Sequence, residues 1–282
     1  MPARPRAEDS ARAKGPSLRP ALRVRIVAAN LSSGRHQSYD EGHGERILRA
    51  LSPDVVLAQE LNVGSGSQAE LEAFVRRACG AGFFVHREPR AAIPNGIISR
   101  WPFRRKGVWE DPFSPNREFA WACIELPGPR DLWAVSVHLL TRNPSVRAAE
   151  ARRLVGLLAE HVPPEDYLVV GGDLNTRRDD EPALRTLAPL VACPRPPADA
   201  RGRRGTNASR RRIYDWVLAD PDLERWRSPV QLAGRRFSGG LVFDTRSFPA
   251  LDELPPARRG DSAAENMQHM AVVREFSLPV ER

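Results

Sequence analysis

The stretch YLVVGGDLNT, residues 167–176, joins a short apolar run to the first candidate functional side chains. Residues 167–171 are almost entirely apolar, which is typical of a strand buried in the interior of a sheet. The run stops at Asp173 and Asn175, whose side-chain oxygens can bind a metal ion or orient water. A strand that ends in such residues predicts a polar site at the edge of a sheet.

Several other predicted strands have the same design. LRVRIVAA, residues 22–29, stops at Asn30, and DVVLA, residues 54–58, stops at Gln59 and Glu60. Further cases are His138 after residues 132–137, Asp215 within residues 213–218, and His269 just before residues 270–276. Strand ends at one edge of a sheet lie together in space, so these residues predict one cleft lined by oxygen ligands and two imidazoles. That combination favours a hydrolytic site.

The rest of the pattern predicts a mixture of hairpins and crossover helices. Helices are expected at residues 44–51, 68–78 and 146–160, the last with Pro144 at its start, and further strands at 83–86, 96–99, 120–125 and 241–243. The sequence PGPRD between residues 125 and 132 predicts a tight hairpin. This mixture predicts an α/β fold with two packed mixed β-sheets and helices outside them.

Composition limits the class of protein. The chain has 282 residues, 41% of them hydrophobic, which is enough for a sizeable core, and no apolar run is long enough to span a bilayer. Residues 1–21 are rich in Arg, Pro and Ala and predict a disordered arm, followed by one domain over residues 22–282. The start of the chain is basic but has no apolar segment typical of a signal peptide, which favours the cytoplasm.

Cysteine content and charge give weaker indications. The three cysteines are far apart in the sequence, which argues against a disulfide framework or a CxxC-type zinc site, although one disulfide is possible. A net charge of +8 suits a polyanionic partner, but the cations are almost all Arg, a bias that high-GC coding alone can produce. The densest cluster of charge is RGRRGTNASRRR, residues 201–212, which we call the arginine-rich run.

Seven short motifs in this order resemble the endonuclease/exonuclease/phosphatase superfamily over nearly the whole chain after the arm. They are RIVAANL (25–31), PDVVLAQE (53–60), NGIISRWPF (95–103), VSVHLL (135–140) with RAAEARRL (147–154), GGDLNT (171–176), IYDWVL (213–218) and MQHMAVV (267–273). The resemblance implies a four-layered, DNase I-like sandwich of two mixed sheets flanked by helices. It also implies metal-dependent hydrolysis of phosphate esters.

The resemblance assigns catalytic roles to five residues. His269 is expected to be the general base that activates water, and Asp215 to hold its imidazole in the useful tautomer. Asp173 and Asn175 are expected to orient the nucleophile and bind the phosphoryl group. His138 is expected to meet the phosphate from the other side. The implied reaction is in-line attack of water on phosphorus.

The resemblance also implies a metal site. Glu60 is the expected principal ligand with Asn30 in support, and such hard oxygen donors suit Mg²⁺ or Mn²⁺. Relatives usually read Ser-Asp-His where this chain has Met267, Gln268 and His269. Gln268 offers an oxygen without a charge, and no acidic residue follows Asn30 closely, so we expect a single, weakly held metal ion.

Nucleic acid is the favoured substrate, with little sequence preference. Arg117 is expected to contact the substrate phosphate, and the arginine-rich run, with Arg210 and Arg211, to border the substrate groove. The alternatives are a phospholipid or inositol-phosphate phosphoesterase and an inactive scaffold that binds phosphate polymers. Residues 100–113 are the nearest candidate for a lipid-docking hairpin. No protein partner can be inferred, and a monomer is expected.

Overall fold

Strands and short helices alternate throughout the computed structural model, which describes residues 21–32 and 42–280. The predicted arm therefore lies outside the described residues except for Ala21. The strands are β1 (Ala21–Asn30), β2 (Val55–Gln59), β3 (Phe84–Arg87), β4 (Gly96–Ser99), β5 (Phe103–Trp109), β6 (Phe119–Ile124), β7 (Leu132–His138), β8 (Tyr167–Asp173), β9 (Asp215–Ala219), β10 (Arg227–Ser228), β11 (Val230–Leu232), β12 (Arg235–Phe237), β13 (Leu241–Phe243) and β14 (Ala271–Pro279). The helices are α1 (His43–Leu51), α2 (Gln68–Ala78), α3 (Pro144–His161), α4 (Pro182–Leu187) and α5 (Pro221–Glu224), with a 3₁₀ turn at Leu251–Glu253.

The strands form two mixed sheets and one small hairpin. The first sheet has the order β10-β14-β1-β2-β4-β3, with β13 paired to β14 as well. The second has the order β5-β6-β7-β8-β9, and β11 pairs with β12 alone. Each large sheet contains one parallel pair, β1 with β2 and β7 with β8, among antiparallel neighbours. The expected pair of mixed sheets is confirmed.

The residues of β1 show how the sequence specifies the layers. Val24 and Ile26 point between the two sheets, whereas Val27 and Ala29 pack toward the helices α1 and α2. Both faces of this central strand are therefore apolar. A separate cluster buries the outer face of the second sheet against α3 and α4. The order of layers is helix, sheet, sheet, helix, which confirms the expected four-layered sandwich.

The predicted site residues meet at one edge because of the strand directions. β1 and β2 run parallel, so Asn30 lies beside Gln59, and the parallel pair β7 and β8 places His138 beside Asp173. β9 runs in the opposite direction and begins at Asp215, which pairs with Asp173. Asp215 is thus at the start of its strand rather than within it, which corrects the expected strand over residues 213–218.

Most predicted helices and strands agree with the structure to within two residues, and the exceptions are short or strongly charged. The strand β5 was not expected, because FRRKGVW has few apolar residues. Residues 100–113, considered as a lipid-docking hairpin, instead supply β5, and Trp109 is buried against Trp121. All three cysteines are free thiols. Among the described helices, none is long and apolar enough to cross a membrane.

Candidate active site

Glu60 and Asn30 form the first half of the site. Glu60 directly follows β2 in a left-handed backbone conformation (φ 53°), which is uncommon for a residue with a side chain and often marks a functional position. Asn30 donates from Nδ2 to Glu60 Oε1 (3.3 Å) and to Asp173 Oδ2 (3.0 Å). Its Oδ1 accepts the backbone N–H of Ser32 (3.0 Å). Asn30 therefore bridges two carboxyl groups that belong to different sheets.

Asp173 reaches the centre of the site because a glycine precedes it. Gly172 has φ +127°, and a Cβ on it would lie 2.3 Å from both the carbonyl oxygen of Val137 and Nε2 of Gln59. Only glycine allows β8 to lie so close to its neighbours in this conformation. The motif GGD thus has a steric reason as well as a chemical one.

The carboxyl group of Asp173 lies between the two histidines. Its Oδ2 is 3.3 Å from Nε2 of His138 and 3.8 Å from Nε2 of His269. Burial raises the pKa of Asp173 to about 7, although the positive charge of His269 lowers it. The negative charge of Asp215 acts in the same direction as burial. A group that is this easily protonated needs a positive neighbour to stay ionised.

His138 is neutral at ordinary pH. Burial lowers its pKa well below the usual value, and the positive charges of Arg117 and His269 lower it further. Its Nδ1 is buried, and no other described residue forms a hydrogen bond with it. A neutral imidazole in this position can donate one hydrogen bond without carrying a charge.

His269 and Asp215 form a close buried pair. Nδ1 of His269 is 3.1 Å and 3.0 Å from the two carboxyl oxygens of Asp215, and its Nε2 faces Asp173. Burial lowers the pKa of His269, but the carboxylates of Asp215 and Asp173 outweigh it and raise the pKa to about 9. Asp173, Asp215 and His269 each offer a ligand atom within 4.8 Å of the others.

Thr206 supports this pair and was not found from the sequence. Its Oγ1 accepts the backbone N–H groups of Tyr214 (2.9 Å) and Asp215 (3.0 Å). Its carbonyl oxygen accepts the N–H of Met270 (2.6 Å), directly after His269. Thr206 is fully buried and thus joins the two segments that carry the pair. One threonine in an arginine-rich run gives no local signal of this role.

Asn175 lies beside Asp173 with its amide group already engaged. It has a left-handed backbone conformation (φ 50°), and its N–H donates to Asp173 Oδ1 (2.9 Å). Its Nδ2 donates to the carbonyl oxygen of Leu139 (2.8 Å). The structure therefore places Asn175 beside Asp173, while its contact with a phosphoryl oxygen stays a prediction.

Arg117 also faces the backbone that follows β7. Its Nε donates to the carbonyl oxygen of His138, and its Nη2 donates to that of Leu139 (3.0 Å). Nη1 donates to Oδ1 of Asn116 (3.0 Å). Burial lowers the pKa of Arg117, while the negative charges of Asp173 and nearby carboxylates raise it. The guanidinium is thus close to the site, but its hydrogen bonds go to protein groups.

The arginine-rich run contains residues of two kinds. The side chain of Arg210 is nearly buried and pairs with Asp244 (2.7 Å) and Asp199 (3.1 Å). It therefore has a structural role and is not available for the phosphate contact that we expected of it. Arg211 is exposed. Asn207, in the same run, forms an isolated β-bridge with His269. The run therefore borders the site, and the phosphate contact is retained for Arg211 as a prediction.

Gln268 contacts the segment after β1. Its Nε2 donates to Oγ of Ser32 (3.0 Å), and its N–H donates to the carbonyl oxygen of Ser32 (3.3 Å). Ser32 is two residues beyond Asn30 in the chain, so Gln268 lies near the end of β1 that carries Asn30. The role of Gln268 as a metal ligand stays a prediction.

The donor set suits a hard divalent cation. The side-chain nitrogen of Asn30 donates a hydrogen bond to Glu60 and another to Asp173. The two carboxyl groups therefore lie close together, on either side of this nitrogen. Oxygen donors of this kind bind Mg²⁺ or Mn²⁺ in preference to softer metals. The raised pKa of Asp173 also indicates a carboxyl group that a cation would help to ionise.

A four-layered sandwich with this carboxyl and histidine cluster at one edge of its sheets defines a phosphoesterase of the DNase I-like class. The chain belongs to the Endonuclease/Exonuclease/phosphatase family, whose model matches residues 44–238. Proteins of this family are hydrolases of phosphoric esters and are generally dependent on divalent metals. No curated protein shows significant similarity to the chain.

Solved structures share the fold at low sequence identity. An endonuclease/exonuclease/phosphatase from Beutenbergia cavernae is 18% identical, with a TM-score of 0.61 over 91% of this chain and 72% of its own. A family protein from Leptotrichia buccalis is 11% identical, with a TM-score of 0.62 over 90% and 99%. Beta toxin from Staphylococcus aureus is 13% identical, with a TM-score of 0.55 over 89% and 99%.

Proposed function

We propose that this protein is a nuclease that hydrolyses phosphodiester bonds with little sequence preference and uses Mg²⁺ or Mn²⁺. The observation that carries the proposal is the buried pair of His269 and Asp215, which faces Asp173 at the edge where Glu60 and Asn30 meet. A base, a charged partner and oxygen donors for a cation are the parts that hydrolysis of a phosphate ester requires.

His269 is the proposed general base. Its Nδ1–H donates to Asp215, which leaves Nε2 to accept a proton from the attacking water. The carboxylates around it keep the imidazole protonated at neutral pH, because they raise its pKa to about 9. A cation held by Glu60 and Asp173 would offset those negative charges and return the pKa toward neutrality.

His138 and Asn175 are the proposed ligands of the phosphoryl oxygens. Burial keeps the imidazole of His138 neutral, and its Nε2, which lies 3.3 Å from Asp173, is proposed to donate to a phosphoryl oxygen. Asn175 is held beside Asp173 by its backbone N–H, and the second N–H of its Nδ2, beyond the one donated to Leu139, would donate to the phosphoryl group. A bound cation would act as a Lewis acid and offset the charge that accumulates on these oxygens.

A single cation is proposed. Glu60 and Asp173 are the carboxylates that would hold it, with Asn30 fixing both. Gln268 contributes no charge where relatives usually have Asp, so a second cation would have one carboxylate fewer.

The arginine-rich run favours nucleic acid as the substrate class. The run is joined to His269 through the bridge with Asn207, so a polymer that crosses the site would pass beside it. Arg201, Arg211 and Arg212 are exposed there. Cations that contact phosphates without reading bases give affinity without sequence preference.

The test is digestion of supercoiled plasmid and single-stranded RNA with Mg²⁺, Mn²⁺ or EDTA, comparing the wild-type protein with His269→Ala and Glu60→Ala. Matched controls are His161→Ala and Glu160→Ala, two partly exposed side chains at the end of α3. Cutting that requires metal and is lost in both site variants, but not in the controls, supports the proposal. Cutting that neither site variant affects would refute it.

Lipid and inositol-phosphate substrates are the second candidate. Phe113 is 43% exposed at the end of residues 100–113, beside the loop that carries Arg117. One exposed aromatic ring is a small surface for membrane docking, whereas Trp109 in the same segment is buried. Activity on liposomes with none on plasmid or RNA would favour this candidate, and binding without any hydrolysis would favour an inactive scaffold.

A further inference from the structure

The end of β7 and the segment that follows it, residues 138–141, carry the proposed catalytic His138 and are held by side chains from other elements. Arg117 donates to the carbonyl oxygens of His138 and Leu139, the latter at 3.0 Å. Asn175 donates to the same Leu139 oxygen (2.8 Å). The two groups proposed to bind the phosphoryl oxygens are therefore fixed through one short stretch of backbone.

The next backbone group of this segment is held by a carboxyl group of α3. The N–H of Leu140 lies 3.0 Å from each carboxyl oxygen of Glu150, and Glu150 is fully buried. Asp111, in the loop between β5 and β6, is also buried and forms a hydrogen bond with Glu150. Two carboxylates in contact inside a protein repel each other strongly, so such a pair retains one proton.

Burial and the neighbouring charges favour Glu150 as the carrier of that proton. Burial raises the pKa of Glu150 to about 8, and the charge of Asp111 adds to the effect, while the N–H of Leu140 and the charge of Arg117 oppose it. Burial also raises the pKa of Asp111, against the charges of Arg117 and Arg153. Glu150 can then donate to Asp111 and still accept from Leu140.

We propose that Asp111, Glu150 and Arg117 form a clamp that positions His138 and Asn175 for catalysis. In this arrangement Arg117 is a positioning residue that acts through the backbone and is not a ligand of the substrate phosphate. Arg117 is only 6% exposed, and its guanidinium already donates hydrogen bonds to three protein groups. A displacement of about 1 Å in a catalytic group can lower a rate about 100-fold, so support of this segment affects kcat.

The kinetic test compares variants that keep or remove the hydrogen bonds. Glu150→Met and Arg117→Met remove them at similar side-chain length, whereas Glu150→Gln keeps an acceptor for Leu140 and a donor for Asp111. We expect the Met variants to lower kcat roughly 10- to 100-fold with KM changed less than about threefold, and Glu150→Gln to stay within about threefold of wild type. An increase in KM with unchanged kcat in Arg117→Met would identify a phosphate ligand and overturn the proposal.

The kinetic test rests on the proposed nuclease function, so a second measurement is independent of activity. In a spectrum of histidine side-chain nitrogens, the His138 signal should move in Glu150→Met and stay in place in Glu150→Gln. Glu160→Met, at the exposed end of the same helix, is the matched control and should not move it. An unmoved His138 signal in a folded Glu150→Met protein would overturn the clamp, even if no substrate is cut.

The shared proton also predicts how stability depends on pH. The folded pKa of Glu150, about 8, is above its ordinary value of 4.5. Its contribution to stability is therefore fully present below about pH 4.5 and is lost as the pH rises through about 8. Glu150→Gln cannot ionise, so the Tm of the wild-type protein should fall relative to that of the variant between about pH 4.5 and pH 8 and stay level above that. A constant difference between the two Tm values would contradict a shared proton.

Discussion

Asp215 presents both carboxyl oxygens to Nδ1 of His269, and an amide in its place would keep the shape but remove the charge. We expect Asp215→Asn to lower kcat roughly 10²- to 10⁴-fold with a small change in KM, because the imidazolium that forms during proton transfer loses its counter-charge. Steady-state kinetics measure this. Asp252→Asn, an exposed side chain on the 3₁₀ turn, is the control. An unchanged kcat in Asp215→Asn would remove His269 from the role of base.

Gln268 offers a test of metal content at a single residue. Gln268→Asp introduces a carboxylate near Ser32, and one additional charge close to a divalent cation should tighten its binding roughly tenfold or more. Isothermal titration with Mn²⁺ measures the affinity and the number of sites, with Gln68→Asp on the exposed face of α2 as the control. Two tight sites in the wild-type protein would contradict a single cation.

At the scale of the strand, β8 contains a glycine, Gly172, that no larger residue can replace without moving its neighbours. Gly172→Ala places a Cβ against the backbone of Val137 in a left-handed conformation, so we expect the free energy of unfolding to fall by at least about 1–3 kcal/mol. Gly156→Ala in α3 has open space around the new methyl group and should raise it by roughly 0.4–1 kcal/mol. Denaturant unfolding measures both. Equal effects would show that the close approach at Gly172 can relax.

Helix α3 supports two loops of the site rather than one. Besides Glu150, its Arg147 pairs with Glu181 (2.6 Å) and donates to the carbonyl oxygens of Leu140 and Thr141 (both 3.2 Å). The other oxygen of Glu181 accepts the N–H of Arg177, shortly after Asn175 in the chain. The buried polar face of this helix thus explains why RAAEARRL carries charged residues inside an otherwise apolar pattern.

At the scale of the whole molecule, positive charge beside the site should control binding of a polyanion. We expect Arg201→Ala with Arg211→Ala to weaken nucleic-acid binding and to reduce the slope of log Kd against log salt by roughly one for each lost phosphate contact. Arg235→Ala with Arg236→Ala is the matched control, because both side chains are exposed on β12, in the hairpin that Arg25 contacts from the middle of β1. Equal slopes in both double variants would exclude the arginine-rich run from the substrate groove.

The sequence allowed most of the fold and much of the site to be predicted. Apolar runs and helical spacing are local properties, so β1, β2, α2 and β8 could be located from short stretches. The polar residues after those strands could be selected for the same reason, because a buried strand followed by Asp or Glu is visible in the sequence alone. Strand β5 was missed, since its arginines hide the strand pattern and its pairing with β6 is decided elsewhere in the chain.

The sequence by itself determined the layers, the candidate residues and the family resemblance, because each depends on patterns within a few neighbouring residues. Only the tertiary structure decided which side chains meet. It placed Asp173 between two histidines, took Arg210 away from the solvent to pair with Asp244, and joined Glu150 to Asp111. The physical reason is that hydrogen bonds and ion pairs connect residues far apart in the chain, and their partners are set by strand order and direction.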